Sequence, residues 1–271
     1  MIKITFSIKY HDGDARNGHL DMYDAAASFQ GFAKALSITA HALLNEGEIR
    51  KKGNRINGAE LYIETSKRGS FEQFVTLVVT NGDAIGASIA AAAFWDLVKW
   101  TWSKTVSKAF DPETPFVKRL VEVERIEPFI GEMEEALEIP LEQAHRPIGK
   151  DESVVITVCR PRVGEVFRLD SETLKAVSLQ NDSTVYENIK GNVTRYNILS
   201  GYGRFYDDEL EKTVSFKLTD EVAAMQKQLL TWSMHHAQEA EGGGKILIDA
   251  RKVATSRNVI KRYMVTNIAQ A

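Results

Sequence analysis

Apolar residues Ile2, Ile4, Phe6, Ile8 and Tyr10 fall at every second position, which predicts a half-buried strand at the start of the chain. The polar stretch from His11 to His19 is rich in Gly, Asp and Asn and reads as a loop. From about Asp24 to Asn45 the period changes: Phe29, Phe32, Ala33, Leu36, Ala40, Leu43 and Leu44 recur at steps of three and four, predicting a helix with one apolar face. Gly47 lies just beyond it, where a left-handed closing residue is wanted. Strands are expected at Glu60 to Thr65 and Ser70 to Thr80, joined by the polar link Ser66-Lys-Arg-Gly69. The uncharged run Ala84 to Trp95, followed by Trp100 and Trp102, is broken by Asp96 and Lys99 before it reaches the ~20 apolar residues of a membrane span. Its small residues predict a closely packed or self-associating helix over 84–102, membrane insertion being the weaker alternative. An acidic helical stretch follows from about Pro115 to Glu142, interrupted at Pro128 and Pro140. Arg146 to Glu152 reads as a linker, Ser153 to Cys159 as a strand, and Ser171 to Leu179 as a short helix.

From Thr184 the elements shorten and change order. Strands are expected near Thr184 to Asn197, Tyr202 to Asp207 and Thr213 to Leu218, then a helix from about Asp220, as N-cap, to Ala240. Gly242, Gly243 and Gly244 end that helix, and a final hairpin pairs Lys245 to Val253 with Val259 to Thr266. Three strands, a helix and two strands is the order of an OB-type barrel. The fold class expected is therefore α+β: a strand-helix-hairpin-helix domain over 1–146, then 147–271, a strand-helix lead-in with a five-stranded barrel at about 183–268.

Within the barrel region, Gly191-Asn-Val193-Thr-Arg-Tyr196-Asn197 and Ser200-Gly201-Tyr202-Gly203-Arg-Phe205 resemble the first two strands of the cold-shock domain, with Val214 and Phe216 where that family's third strand carries its aromatics. The resemblance covers about thirty residues. It implies a surface on which exposed rings stack bases, each contributing about 1–3 kcal/mol. Two of the family's aromatic positions are Arg195 and Arg204 here, and arginine either stacks on a base and reaches phosphate or decorates a solvated face. Tyr196 and Tyr202 complete the stacking candidates, with a place in the core as the alternative for one of them, and Gly201 and Gly203 leave room for a base or a neighbouring backbone. Over its length the chain also resembles uncharacterised bacterial proteins, through Leu20-Asp-Met-Tyr-Asp-Ala-Ala26, Lys67-Arg-Gly-Ser-Phe71 and Gly203-Arg-Phe-Tyr-Asp207. That resemblance implies a bacterial cytoplasmic protein, with phage defence as an association.

Charge sharpens this picture. The net charge of −3 averages a segment from Asp111 to Glu152, with 12 acidic and 5 basic residues, and one from Lys245 to Tyr263, with 6 basic residues against Asp249. Arg251, Lys252, Lys261 and Arg262 in that basic end either contact phosphates or meet the chain's own acidic segment. The single Cys159 excludes an internal disulfide and lacks zinc-site spacing, which suits a reducing cytoplasm. The His11, Asp12, Asp14, His19 and Asp21 loop departs from calcium-loop spacing, and the adjacent His235 and His236 diverge by about 100° on a helix, so no metal is expected. Asp207, Asp208, Glu209 and Glu211 lie in a hairpin turn without a histidine motif, and no phosphate loop, dinucleotide fingerprint or nucleophile elbow occurs. No cofactor is expected. The reading that follows is a non-enzymatic binding or adaptor protein whose barrel contacts single-stranded nucleic acid, a nucleotide or a partner protein. The alternative is an effector acting through the 84–102 helix, which also offers a surface for homo-oligomers.

Overall fold

The computed structural model describes residues 2–51, 55–64, 71–80, 87–124, 128–239 and 242–271. The Ser66–Gly69 link and the 84–86 start of the uncharged helix lie outside them. The chain divides into two compact units, Met1–Leu120 with Met133–Val177, and Val121–Glu132 with Ser178–Ala271.

The first unit is built on an antiparallel sheet of order β2-β3-β1-β4-β5, formed by β1 (Ile2–His11), β2 (Ala59–Ile63), β3 (Glu72–Val79), β4 (Val155–Arg160) and β5 (Gly164–Leu169). Its central strand buries Ile4, Phe6, Ile8 and Tyr10, the residues that alternate in the sequence. Helix α1 (Met22–Leu44) starts at Asp21, whose carboxylate accepts the Tyr23 and Asp24 amides at 3.0 and 3.1 Å. Beyond its end, Gly47 adopts a φ of 88° and donates to the Ala42 carbonyl at 2.8 Å, as the closing position requires. The uncharged helix is α2 (Ala87–Thr105), and from Ala93 to Val98 it is buried all round, with Trp95 edge-on to Phe6. Trp102 donates from Nε1 to Thr39 Oγ1 at 3.0 Å. Among the described residues no helix is long and apolar enough to cross a membrane.

The acidic stretch forms α3 (Pro115–Glu124) and α4 (Phe129–Ala144). Pro140 lies inside α4, correcting the expected break. The expected linker is instead a short helix, α5 (Arg146–Lys150), followed by β4, which pairs with β1 from Ser7↔Cys159 to His11↔Val155. Strand β5, unforeseen in the sequence, continues the sheet from β4, and α6 (Ser171–Val177) follows. Residues 147–177 therefore belong to the first unit, and the unit boundary falls after Val177 rather than at 146. Sheet pairing across some 150 residues outweighs the local turn chemistry on which the earlier boundary rested.

The second unit contains a closed barrel of order β10-β8-β7-β6-β9. Its strands are β6 (Leu179–Tyr196), β7 (Tyr202–Asp207), β8 (Lys212–Leu218), β9 (Ile246–Thr255) and β10 (Ile260–Gln270), with α7 (Ala224–Glu239) between β8 and β9. The closed barrel and the placement of α7 are consistent with the OB-like barrel expected. Val193, Phe205, Val214, Phe216, Ile246, Ile248, Tyr263 and Val265 fill the interior. Strand β6 is long enough to pair with both β7 and β9 because it bends, with register shifts between Asn181 and Val185 and between Tyr186 and Ile189, and with Asn188 at a φ of 58°. Asp220 does not cap α7, which begins at Ala224; Gln226 reaches back to accept the Ala223 amide at 2.9 Å instead.

Candidate functional site

The glycines of the cold-shock-like motif have an internal cause. A Cβ on Gly203 would lie 2.1 Å from the Phe216 ring and 2.6 Å from the Arg195 carbonyl, and one on Gly191 would lie 2.0 Å from the Tyr206 carbonyl. Gly201 takes a φ of 73° in the β6–β7 turn. Two of the three positions are glycine so that strand and ring approach within the barrel, and the third so that the turn closes.

Opposite the interior, strand register places Arg195 across from Arg204, Arg204 across from Ser215, and Ser215 across from Arg262. Three arginines and a serine thus share one rung across β6, β7, β8 and β10. Glu124, from the same unit, meets this rung. Its carboxylate lies 3.2 Å from Arg204 and 3.6 Å from Arg195, and it also accepts the Ile130 amide in the first turn of α4. Arg204 donates a further bond to Ser215 Oγ at 2.8 Å. The Glu124 side chain is only 7% exposed. Burial pushes its pKa above the ordinary carboxylate value, against the pull of Arg204, the Ile130 amide and Arg195. Gly131 lies over Ser215, with 3.2 Å between its Cβ direction and Ser215 Oγ, and Glu132 accepts from Ser200 and, at 3.5 Å, from Asn197.

A cleft of about 560 Å³ opens along β6 and α7. Arg195 and Tyr196 line it from the strand beside Asn192 and Thr194, while Thr231, His235 and Gln238 line it from the helix. Tyr196 is half-buried, its ring stacked on Phe216 at 6.2 Å between centroids and 14° between planes. Beside the groove α7 is tied to β6 by Ser233, wholly buried, which accepts the Val193 amide at 3.0 Å and donates to the Gly244 carbonyl at 2.6 Å. Val193 sits beside the register shift between β6 and β7, and Ser233 satisfies the amide there.

The remaining sequence candidates are scattered. Tyr202 is 2% exposed, with Lys217 Nζ 5.3 Å above its ring, so it offers no face to a base, a correction to the stacking expectation. Arg262 is buried as well. Arg251 pairs with Glu221 at 3.0 Å, and Lys252 lies 3.6 Å over the Tyr186 ring. Lys261 is half-buried on β10. The basic end therefore meets acids of its own unit, including Asp208 through Lys245 at 2.6 Å. Of the expected surface, Arg195, Arg204 and Arg262 share the rung and Arg195 and Tyr196 share a groove, whereas Tyr202 is buried and Arg251 and Lys252 are engaged elsewhere. Asp207, in the acidic turn, is buried and accepts from Tyr263 Oη and the Glu209 and Leu210 amides, a structural use. Asp21 caps α1, and among the described residues no group of three or more His, Cys, Asp or Glu is arranged to hold a metal ion. Glu124, Ser215, Thr231 and Gln238 were not singled out in the sequence, and His235 was weighed there only as a metal ligand. Nothing local distinguishes Glu124 from its acidic neighbours, and its arginines lie some 70 and 80 positions away.

Comparison with known proteins adds family relations without an activity. Residues 6–178 match the family described as "Domain of unknown function (DUF7946)", and residues 186–269 match "Family of unknown function (DUF7947)". No curated protein matches the chain. Among solved structures, it is similar at 12% identity to a mutant of the ferredoxin protease FusC in complex with Arabidopsis ferredoxin. That similarity covers 81% of this chain and 29% of the other, and its TM-score of 0.20 is too low to support any argument.

Proposed function

The chain belongs to the DUF7946 family, and from that premise we propose that it is a non-enzymatic binding protein of a bacterial cytoplasm, taking a nucleotide or a single nucleic-acid strand in the groove between β6 and α7. The observation that supports this reading is the groove itself. Its volume lies in the ~300–1,000 Å³ range of small-molecule sites, and it combines the Tyr196 phenol, the His235 imidazole, a guanidinium, two amides and two threonine hydroxyls. An aromatic edge backed by Phe216 is pre-ordered for contact with a base, and Arg195 at the rim supplies a cation for phosphate. The cold-shock resemblance of β6 and β7 supports the same ligand class. A mixed single-stranded oligonucleotide library, titrated at low salt, tests it. Tyr196→Ala is expected to weaken binding by about 1–3 kcal/mol with little change in salt dependence. Absence of binding at roughly 100 μM, where non-specific contacts already register, overturns the reading.

A second reading, recognition of a partner protein, draws on Ile198 and Leu199, which are 73% and 94% exposed at the β6–β7 turn. The effector reading is less well supported, since α2 would have to leave its core to act.

A further inference from the structure

The groove and the arginine rung share one residue, Arg195, and that residue is already engaged. Glu124 holds the rung through Arg195 and Arg204, and Glu132 holds the adjoining turn through Ser200 and Asn197. Both contacts lie within the second unit. Their chemistry is what an anionic strand would present: acceptor oxygens facing paired guanidinium groups on a β-face and a serine hydroxyl in the adjoining turn.

We propose that the outer face of β6–β8 is an anion-recognition surface for the phosphates of single-stranded nucleic acid, and that the Glu124 carboxylate is its built-in occupant, which the strand must displace. This rests on the groove reading above and adds its regulation. Three observations converge on it. Arg195 and Arg204 are cross-strand neighbours, an arrangement whose mutual repulsion calls for an anion between them. Both guanidinium groups retain access to water, with side chains 32% and 20% exposed, so an exchanging anion can reach them. Glu124 is buried where its charge is costly, and a solvated phosphate that replaces it returns the carboxylate to water.

The test uses the full chain, with labelled oligothymidylate as the probe in fluorescence anisotropy across a salt series. Glu124→Gln removes the competing charge and is expected to bind on the order of tenfold more tightly than the unaltered protein. Its salt slope should also steepen by about one for each arginine released. Adding Arg195→Ala or Arg204→Ala to Glu124→Gln should abolish the gain. Hydrogen exchange on the unaltered protein reads the same event without depending on how the variant folds: oligothymidylate should deprotect residues 129–132 as the Glu124 carboxylate leaves the Ile130 amide. Binding by the unaltered protein with no gain in Glu124→Gln, or with protection of that segment unchanged, overturns the displacement and leaves the groove standing. Absence of binding by both proteins overturns the groove reading together with it.

Discussion

Two buried carboxylates, Asp96 in the first unit and Glu124 in the second, are held differently. In the first, Asp96 on α2 accepts the Glu113 amide at 3.0 Å, the Thr114 amide at 2.7 Å and Thr114 Oγ1 at 2.7 Å. Its partners are chiefly main-chain donors just before α3, so it fixes the entry to that helix and can exchange with nothing from solvent. In the second, Glu124 accepts one main-chain amide but is otherwise paired with guanidinium groups on two strands. Side-chain cations can rotate, hydrate and take another anion, whereas backbone amides are committed by the fold. The same burial thus yields a structural bond in one unit and a contact suited to recognition in the other.

The largest test of that contrast is stability. Asp96→Ala removes the acceptor of three half-buried donors and is expected to cost about 3 kcal/mol in chemical denaturation. Glu124→Gln should cost about 1 kcal/mol, because glutamine keeps an oxygen for the Ile130 amide and the arginines can hydrate. A reversed order would erase the distinction.

Acid provides the next test, aimed at the first unit. His145 is fully buried, with Nδ1 donating to the Leu141 carbonyl at 2.6 Å and Nε2 2.8 Å from Thr173 Oγ1. Burial lowers its pKa from 6.5 to about 4, outweighing the Leu141 bond and Asp170, with Lys108 adding to the depression. Above about pH 6.5 the ring is neutral in both states and the contribution is intact. As pH falls from there towards 4, the unfolded chain takes up a proton that the folded ring refuses, and stability drops by on the order of 3 kcal/mol. His145→Gln should flatten that part of the pH profile of the denaturation midpoint; an unchanged profile would place the sensitivity elsewhere.

A smaller effect is expected in the barrel. Gly203→Ala forces a methyl against the Phe216 ring and should cost about 1–3 kcal/mol with no change in oligonucleotide affinity beyond that destabilisation. Loss of binding at unchanged stability would return the glycine to a ligand-approach role and weaken the packing explanation.

Much of the architecture was legible because it is written at short range. The alternation from Ile2 to Tyr10, the Asp24–Asn45 periodicity and the strand spacing beyond Thr184 each reflect a face that must be buried, and the five barrel strands appear within a few residues of their expected places. Misreadings arose where a local cue met a distant partner. Pro140 is tolerated inside α4, and Arg146–Lys150 carries linker-like residues yet is helical. At the site the gap was wider. Arg195 and Tyr196 were identifiable from the motif they interrupt, but Tyr202 was placed on the wrong kind of surface, since alternation within one strand does not say what covers its outer side.

Residue order alone establishes which segments are helix or strand, because backbone sterics and the periods of 3.6 and 2 act between neighbours. Strand register and chain return then bring Glu124 to Arg195 and Arg204, align three arginines on one rung and fit Gly203 to the Phe216 ring. Those contacts join positions up to 80 residues apart, and hydrogen-bond geometry and close packing select them only after the sheets have closed.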